Sequence, residues 1–177
     1  MSMIKKRVRN KKSQEAIGMS FSMIFSIILI IFFIAVAFMA IRYFLKVQNC
    51  ARVGDFVSEV KIKTTEAWDS QKSGFEKKYI LPSNLEYVCF ADLSQELRGQ
   101  NEAVLEDLGF FQEWEKSNML LYPKGNSCNM PVHNIEHLDI AKMTKTKNPY
   151  CIEVKSGQIT LKFEKGYVDR LVTISGV

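Results

Sequence analysis

The stretch KKSQEAIGMSFSMIFSIILIIFFIAVAFMAIR, residues 11–42, decides the architecture of this chain. No charged residue lies between Ala16 and Ile41. As an α-helix, that segment would be about 39 Å long, which exceeds the roughly 30 Å hydrocarbon core of a bilayer. A secretory signal peptide has a shorter apolar region, about 7–15 residues, followed by small residues at a cleavage site, and residues 42–46 offer no such site. The segment is therefore predicted to span a membrane.

Charge on either side of the span predicts its orientation. Arg42 and Lys46 are the basic residues that follow it closely, whereas six precede it: Lys5, Lys6, Arg7, Arg9, Lys11 and Lys12. The positive-inside rule then keeps the N-terminus in the cytoplasm and exports the C-terminal part. The net charge is +5, but 16 of the 24 basic and 18 of the 19 acidic residues lie in residues 47–177. The lipid bilayer is therefore the expected partner, and nucleic acid is not.

Apolar residues continue beyond the span at helical spacing. The residues that recur every three or four positions are Val47, Cys50, Gly54, Val57, Val60, Thr64 and Trp68, and this spacing places them on one face of a helix. We therefore predict a basic cytoplasmic leader at 1–13, a transmembrane helix at 14–45, an amphipathic stalk helix at 46–72 and an exported domain at 73–177. The predicted fold class is α+β, with a small head of antiparallel β-hairpins and one or two helices.

Two hairpins are predicted in the head. The first, FEKKYILPSNLEYVCF, residues 75–90, turns at Pro82-Ser83-Asn84. The second, YCIEVKSGQITLKFEKG, residues 150–166, turns at Ser156-Gly157. Pairing outward from that turn sets three apolar pairs opposite each other: Val154 with Ile159, Ile152 with Leu161, and Tyr150 with Phe163. A helix from Asn101, a strand at Met119–Tyr122 and a helix or edge strand at 167–174 complete the head.

The four cysteines, Cys50, Cys89, Cys128 and Cys151, all follow the span. An even count in an exported domain permits two disulfides. Four cysteines allow three pairings, and the sequence does not choose among them. Because Cys50 lies only about nine residues beyond the apolar segment, an intermolecular bridge or a free thiol is an alternative for it.

The motif HNIEH, residues 133–137, is the one pattern with catalytic potential. It fits H-x-x-E-H, in which His133 and His137 on one helix bind Zn²⁺ and Glu136 activates water. A structural zinc site formed by Cys128, His133, His137 and Cys151 is a second alternative. The simplest interpretation is two polar histidines beside a short strand or helix. We therefore expect no catalytic site, no resident metal and no cofactor.

The opening stretch resembles the N-terminus of archaeal type IV pilin-like and archaellin-like subunits. The features that carry the resemblance are the basic leader, the run Gln14-Glu15-Ala16-Ile17-Gly18 and the long apolar helix that continues into an amphipathic one. In that family a leader peptidase cuts just before the hydrophobic helix, often leaving Gln as the first mature residue. The resemblance implies cleavage between Ser13 and Gln14.

The predicted function is that of a single-pass, membrane-anchored structural or interaction protein of the cell envelope, in the manner of a pilin-like subunit. Such a subunit would associate with its own copies or with other membrane proteins through the N-terminal helix. Two alternatives remain open: a membrane-tethered metal-dependent hydrolase that uses His133, Glu136 and His137, and an accessory subunit of a membrane complex.

Overall fold

The computed structural model describes residues 12–99, 104–106 and 116–177 of the chain. The chain divides after Lys46 into two units, which are described separately. The principal elements, in chain order, are α1 (Lys12–Asp69), β1 (Ser73–Ile80), β2 (Tyr87–Phe90), β3 (Met119–Tyr122), β4 (Val132–His133), α2 (Ile140–Met143), β5 (Tyr150–Glu153), β6 (Gln158–Lys165) and β7 (Thr173–Gly176). The prediction of an α+β fold with a long N-terminal apolar helix and antiparallel sheets is confirmed.

The strands form two antiparallel sheets. The first has the order β1-β6-β7, so that the long strand β6 is central, and the second has the order β4-β3-β2-β5. Alternate residues of β6 are buried, with Ile159, Leu161 and Phe163 pointing into the core. This period of two is what an antiparallel strand with one covered face requires. Phe75 of β1 lies opposite Phe163 and stacks on it, with 5.2 Å between ring centroids.

The second half of α1 belongs to the core of the head. Val53, Phe56 and Val60 are buried among residues of both sheets, and Phe56 meets Tyr79 of β1 edge to face, with 5.1 Å between ring centroids. Of the predicted apolar stripe, Val57, Val60 and Thr64 are buried, whereas Val47 and Trp68 are exposed. Residues from Val47 onward belong to the same compact unit as the strands that cover this part of the helix. Lys165 of β6 donates to the backbone carbonyls of Trp68 and Ser70 and so satisfies the end of the helix.

The first half of α1 has a different environment. Its large apolar side chains from Phe21 to Val47 are 39–73% exposed. By length and composition, α1 can cross a membrane. The hydroxyl of Ser26 donates to the carbonyl of Ser22 at 2.9 Å, so this serine bonds to its own helix.

Neither predicted hairpin forms. β1 pairs with β6, whereas β2 pairs with β3 and β5, so the chain changes sheet between Ile80 and Tyr87. The Ser156-Gly157 turn is present, and Lys155 and Gln158 exchange two backbone hydrogen bonds of 2.9 Å. The pairing stops there, because β5 then joins β2 while both edges of β6 are occupied by β1 and β7.

The remaining predicted elements have separate outcomes. Met119–Tyr122 is the strand β3, and the C-terminal edge strand is β7, which begins at Thr173, later than predicted. Residues 104–106 are helical and Val104 is buried, while the rest of the helix predicted from Asn101 lies outside the described residues. Of the predicted leader, residues 1–11 also lie outside them.

A core substitution on α1 tests whether the helix is part of the domain. Replacing Phe56, which is 2% exposed, with Ala should lower the free energy of unfolding by about 3–5 kcal/mol, because it leaves a cavity under β1. Ile62 lies on the same helix and is 48% exposed, so Ile62→Ala should cost about 0.5 kcal/mol or less. Urea unfolding of the detergent-solubilised chain, followed by tryptophan fluorescence, measures both. Equal losses for the two variants would contradict this packing.

Candidate functional site

His133 is a half-buried residue of β4, directly opposite Met119 of β3. Its Nε2 lies 2.8 Å from the carbonyl oxygen of Met130, so Nε2–H donates and the ring is held as one neutral tautomer. Burial lowers the pKa of His133 below its ordinary value of 6.5; the hydrogen bond to Met130 raises it in part, and the charge of Lys61 lowers it further. His133 is therefore a satisfied structural residue at neutral pH.

His137 lies in a turn four residues further along the chain, with a positive φ of 65°. Its ring stacks on Trp68 of α1, with 3.8 Å between centroids and 7° between planes. Its backbone carbonyl accepts from Val172, which fixes the turn against the segment before β7. Glu136 is mostly exposed, and its Oε2 lies 4.0 Å from Nε2 of His137.

The H-x-x-E-H residues do not share a helix. Asn118 holds the backbone between the two histidines in a non-helical conformation. Its Nδ2 donates to the carbonyl of Ile135 at 2.7 Å, and its Oδ1 accepts from the amide of Ile135 at 2.8 Å. His133 is the last residue of the strand β4, and His137 lies in a turn with left-handed backbone conformation, next to Trp68 of α1. The i, i+4 geometry that a helical zinc site needs is therefore not formed.

The cysteines of the alternative zinc site are engaged in disulfides. Cys50 is bonded to Cys128, and Cys89 is bonded to Cys151. The four proposed ligands Cys128, His133, His137 and Cys151 are thus divided between two disulfides, a strand and a turn, and neither sulfur is a thiolate. The described residues contain no group of three or more His, Cys, Asp or Glu side chains that could hold a metal ion.

The two disulfides join different parts of the domain. Cys50–Cys128 links α1 to the turn after the short 3₁₀ helix Lys124–Asn126, where Cys128 and Asn129 both have positive φ. Cys89–Cys151 links directly opposite residues of β2 and β5. The first bond fastens the helix to the domain at the point where the buried part of α1 begins. The second fastens the edge strand of the second sheet.

A polar cavity of about 370 Å³ lies between the loop after β2 and the segment that follows α2. Its lining includes Asp92, Glu96, Arg98 and Lys145, so both signs of charge are present. The buried amide of Asn148 joins the two segments, because it accepts from the backbone of Asp92 at 3.0 Å and donates to the carbonyls of Asp92 and Glu96. Each of these three hydrogen bonds joins the amide to the backbone, so Asn148 holds the cavity wall together.

A second cavity, of about 330 Å³, lies between α1 and β1. Tyr79 lines it and is 6% exposed, and its hydroxyl is the one buried side-chain polar atom without a hydrogen-bond partner in the described residues. Burial raises the pKa of Tyr79, and the charges of Glu59 and Glu66 raise it further, so the phenol stays protonated. No sequence pattern marks Tyr79 as functional, because an aromatic residue in a strand is ordinarily a packing residue.

The pH dependence of stability tests the neutral state of His133. The pKa of His133 is lower in the folded chain than in the unfolded chain. The contribution of this residue to the free energy of unfolding is therefore fully present above pH 6.5, the pKa in the unfolded chain, and is lost as the pH falls through the folded pKa. Between pH 7.5 and pH 5, the free energy of unfolding of the wild type should therefore fall more steeply than that of His133→Gln. Asn134→Gln, an exposed neighbour without an ionisable group, should keep the wild-type dependence. Parallel curves for wild type and His133→Gln would contradict the assignment.

Removing one disulfide tests the pairing and its role. The double variant Cys50→Ser/Cys128→Ser should be less stable by about 2–5 kcal/mol while keeping its fold, because the bond closes a long loop. Non-reducing peptide mapping of the wild type should recover 50 linked to 128 and 89 linked to 151 within one chain. A peptide that joins Cys50 to a cysteine of another copy would overturn this arrangement.

The geometry thus provides a disulfide-linked domain with cavities of about 370 and 330 Å³, and its described residues contain no side-chain group that could hold a metal ion. No protein-family model matches the chain, and neither a curated protein nor a solved structure is similar to it.

Proposed function

We propose that this protein is a membrane-anchored structural or interaction subunit of the cell envelope, whose disulfide-linked domain lies outside the cytoplasm. The observation that carries the proposal is the contrast along α1. Large apolar side chains are exposed from Phe21 to Val47, whereas those at Val53, Phe56 and Val60 are buried by strands. An uncovered apolar helix of this length is unfavourable in water and needs lipid or neighbouring helices around it.

The disulfides support an oxidising compartment for the domain. Both bonds lie after the apolar segment, and the cytoplasm keeps most thiols reduced. The basic N-terminal flank supports the same orientation, since the positive-inside rule retains that end in the cytoplasm. Together these features favour a single-pass protein with a cytoplasmic N-terminus.

We further propose assembly through α1 in the manner of a pilin-like subunit. Burying the exposed apolar surface among neighbouring copies would satisfy it as well as a bilayer does, and the helical backbone needs no outside partner in either environment. This part of the proposal rests on the run from Gln14 to Gly18 and the continuous helix from Lys12 to Asp69.

Peptide mapping of the native protein from carbonate-washed membranes tests both parts. We expect the protein in the membrane fraction, with Gln14 as its first residue, because a leader peptidase would remove residues 1–13. An intact N-terminus in the membrane fraction would contradict the pilin-like part and leave a permanent anchor. Recovery of the intact chain in the soluble fraction would contradict the anchor itself. A Gln14→Pro variant serves as the control, since it should block cleavage without removing the apolar segment.

A further inference from the structure

The outer edge of β1 is unpaired in the part of the chain that the structure describes. β1 is the terminal strand of its sheet, and with Ser73–Ile80 it is as long as the central strand β6. The amide of Leu81 bonds the carbonyl of Gly157, which fixes the alternation along the β1–β6 ladder. Backbone N–H and C=O groups at alternate positions therefore point away from β6; these positions are Gly74, Glu76, Lys78 and Ile80. Such a row is a template for another strand.

The cavity between α1 and β1 runs along this edge. Lys77, Lys78 and Ile80 line it from the strand, and Asp55 and Glu59 line it from the helix. The buried hydroxyl of Tyr79 also belongs to this region and has no partner among the described residues. An open strand edge beside a helix, with an unpartnered buried donor, is a site for strand addition.

We propose that the occupant is β1 of a second copy, paired antiparallel about a two-fold axis at Lys77. A two-fold axis perpendicular to the sheet leaves the same sheet face of both copies on the same side. Each even-numbered residue of β1 must then lie opposite an even-numbered residue of the other copy, and each odd-numbered residue opposite an odd-numbered one. In addition, residues whose backbone N–H and C=O groups point away from β6 must lie opposite the equivalent residues of the other copy. Of the central registers that meet both conditions, one sets Glu76 opposite Glu76 and one sets Lys78 opposite Lys78. The register centred on Lys77 instead sets Glu76 opposite Lys78, twice.

Charges on the solvent face are complementary in this register. Within one copy, Glu76 already faces Lys162 across the β1–β6 ladder, and Lys162 bonds Glu164 at 2.7 Å. Adding the second copy places its Lys78 on the other side of Glu76, which extends the row with alternating sign. On the same face, the exposed Ile80 of each copy lies over Gly74 of the other, where no side chain competes for the space.

The face toward α1 is also complementary. Phe75 of one copy lies opposite Tyr79 of the other, which extends the stack of Phe75 on Phe163. Lys77 meets its own counterpart across the axis, but Asp55 and Glu59 line the same cavity and supply opposite charge, beside one further cation of α1, Arg52. Lys77 of the second copy is also the diagonal neighbour of Tyr79, and its ammonium can donate to the unpartnered hydroxyl.

The contact differs from assembly through the apolar helix. Phe56 of α1 lies at the level of Tyr79, and Trp68 lies near Lys165, opposite Ser73, so this part of α1 runs antiparallel to β1. The two-fold axis therefore reverses the direction of residues 56–68 in the second copy. Helices that pack side by side in a pilin-like assembly keep one direction, as do copies anchored side by side in one membrane. The proposed pairing therefore joins copies from opposed membranes or assemblies, or copies freed in detergent, and it is a contact separate from association through the apolar helix.

A charge exchange on the full chain in detergent tests the pairing. Glu76→Lys and Lys78→Glu each convert two attractive cross-strand contacts into two repulsive ones, so each should raise the dimer dissociation constant about tenfold or more. The combined variant Glu76→Lys/Lys78→Glu restores opposite charges and should return it to within about threefold of wild type. Sedimentation velocity over a range of protein concentrations measures all four. Association through α1 alone would not respond to charge at residues 76 and 78.

Cysteine cross-linking tests the register. Lys77→Cys places two sulfurs across the axis at a non-hydrogen-bonded pair, where Cα atoms are about 4.5 Å apart, within the range for a disulfide. Mild oxidation should therefore give a covalent dimer with Lys77→Cys, and a slower reaction with Lys78→Cys, which faces Glu76 of the other copy. A chain that stays monomeric, equal cross-linking at both positions, or a combined charge variant that does not recover would each overturn the proposal.

Discussion

The fold depends on one long helix, α1, whose two parts have different surroundings: strands bury the later part, and the apolar earlier part is exposed. α1 carries apolar side chains both before and after residue 47, all round the helix in the first part and on one face in the second, yet only the later ones have strands over them. Val53, Phe56 and Val60 belong to a core shared by both sheets, and Lys165 donates to the carbonyls at the helix end. The earlier residues, from Phe21 to Val47, have no such cover within the described residues. The later part of the helix therefore belongs to the core of the head, whereas the earlier part is exposed and is long and apolar enough to cross a membrane.

The strand order shows what a sequence of this kind can and cannot reveal. The Ser156-Gly157 turn was predictable because its requirement is local, a positive φ at both residues. The strands on either side of it were not, because β5 and β6 have equally good partners elsewhere. β2 gains β5 through a directly opposite cysteine pair, and β6 gains β1 and β7. Alternating apolar residues fit every one of these pairings, so only the whole core selects among them.

The histidine motif illustrates a different limit. The motif gives the spacing between His133 and His137 but not the backbone conformation of the residues between them. Here the side chain of Asn118 captures the backbone of Ile135, so the chain leaves the strand immediately after His133. His137 then stacks on Trp68, which precedes it by 69 residues in the chain. The sequence shows that the four cysteines follow the apolar segment and permit two disulfides. It does not predict the pairing of 50 with 128 and of 89 with 151, because that depends on where α1, β2 and β5 come together.

Edges explain why one strand remains available for a partner. In the second sheet, β5 is bonded to β2 through Cys151, and its outer side meets β7, where Gly176 leaves room for Ile152. At the far side of that sheet, β4 is only two residues long, which limits what can pair with it. β1 has neither protection: it is long, and its outer groups are free in the described residues. Glu76 of β1 has Lys162 on one side and the open edge on the other. This charge disfavours most added strands and favours a strand that places a lysine opposite Glu76. An edge that is charged against general pairing and complementary to its own reversed copy thus combines protection from aggregation with selective self-recognition.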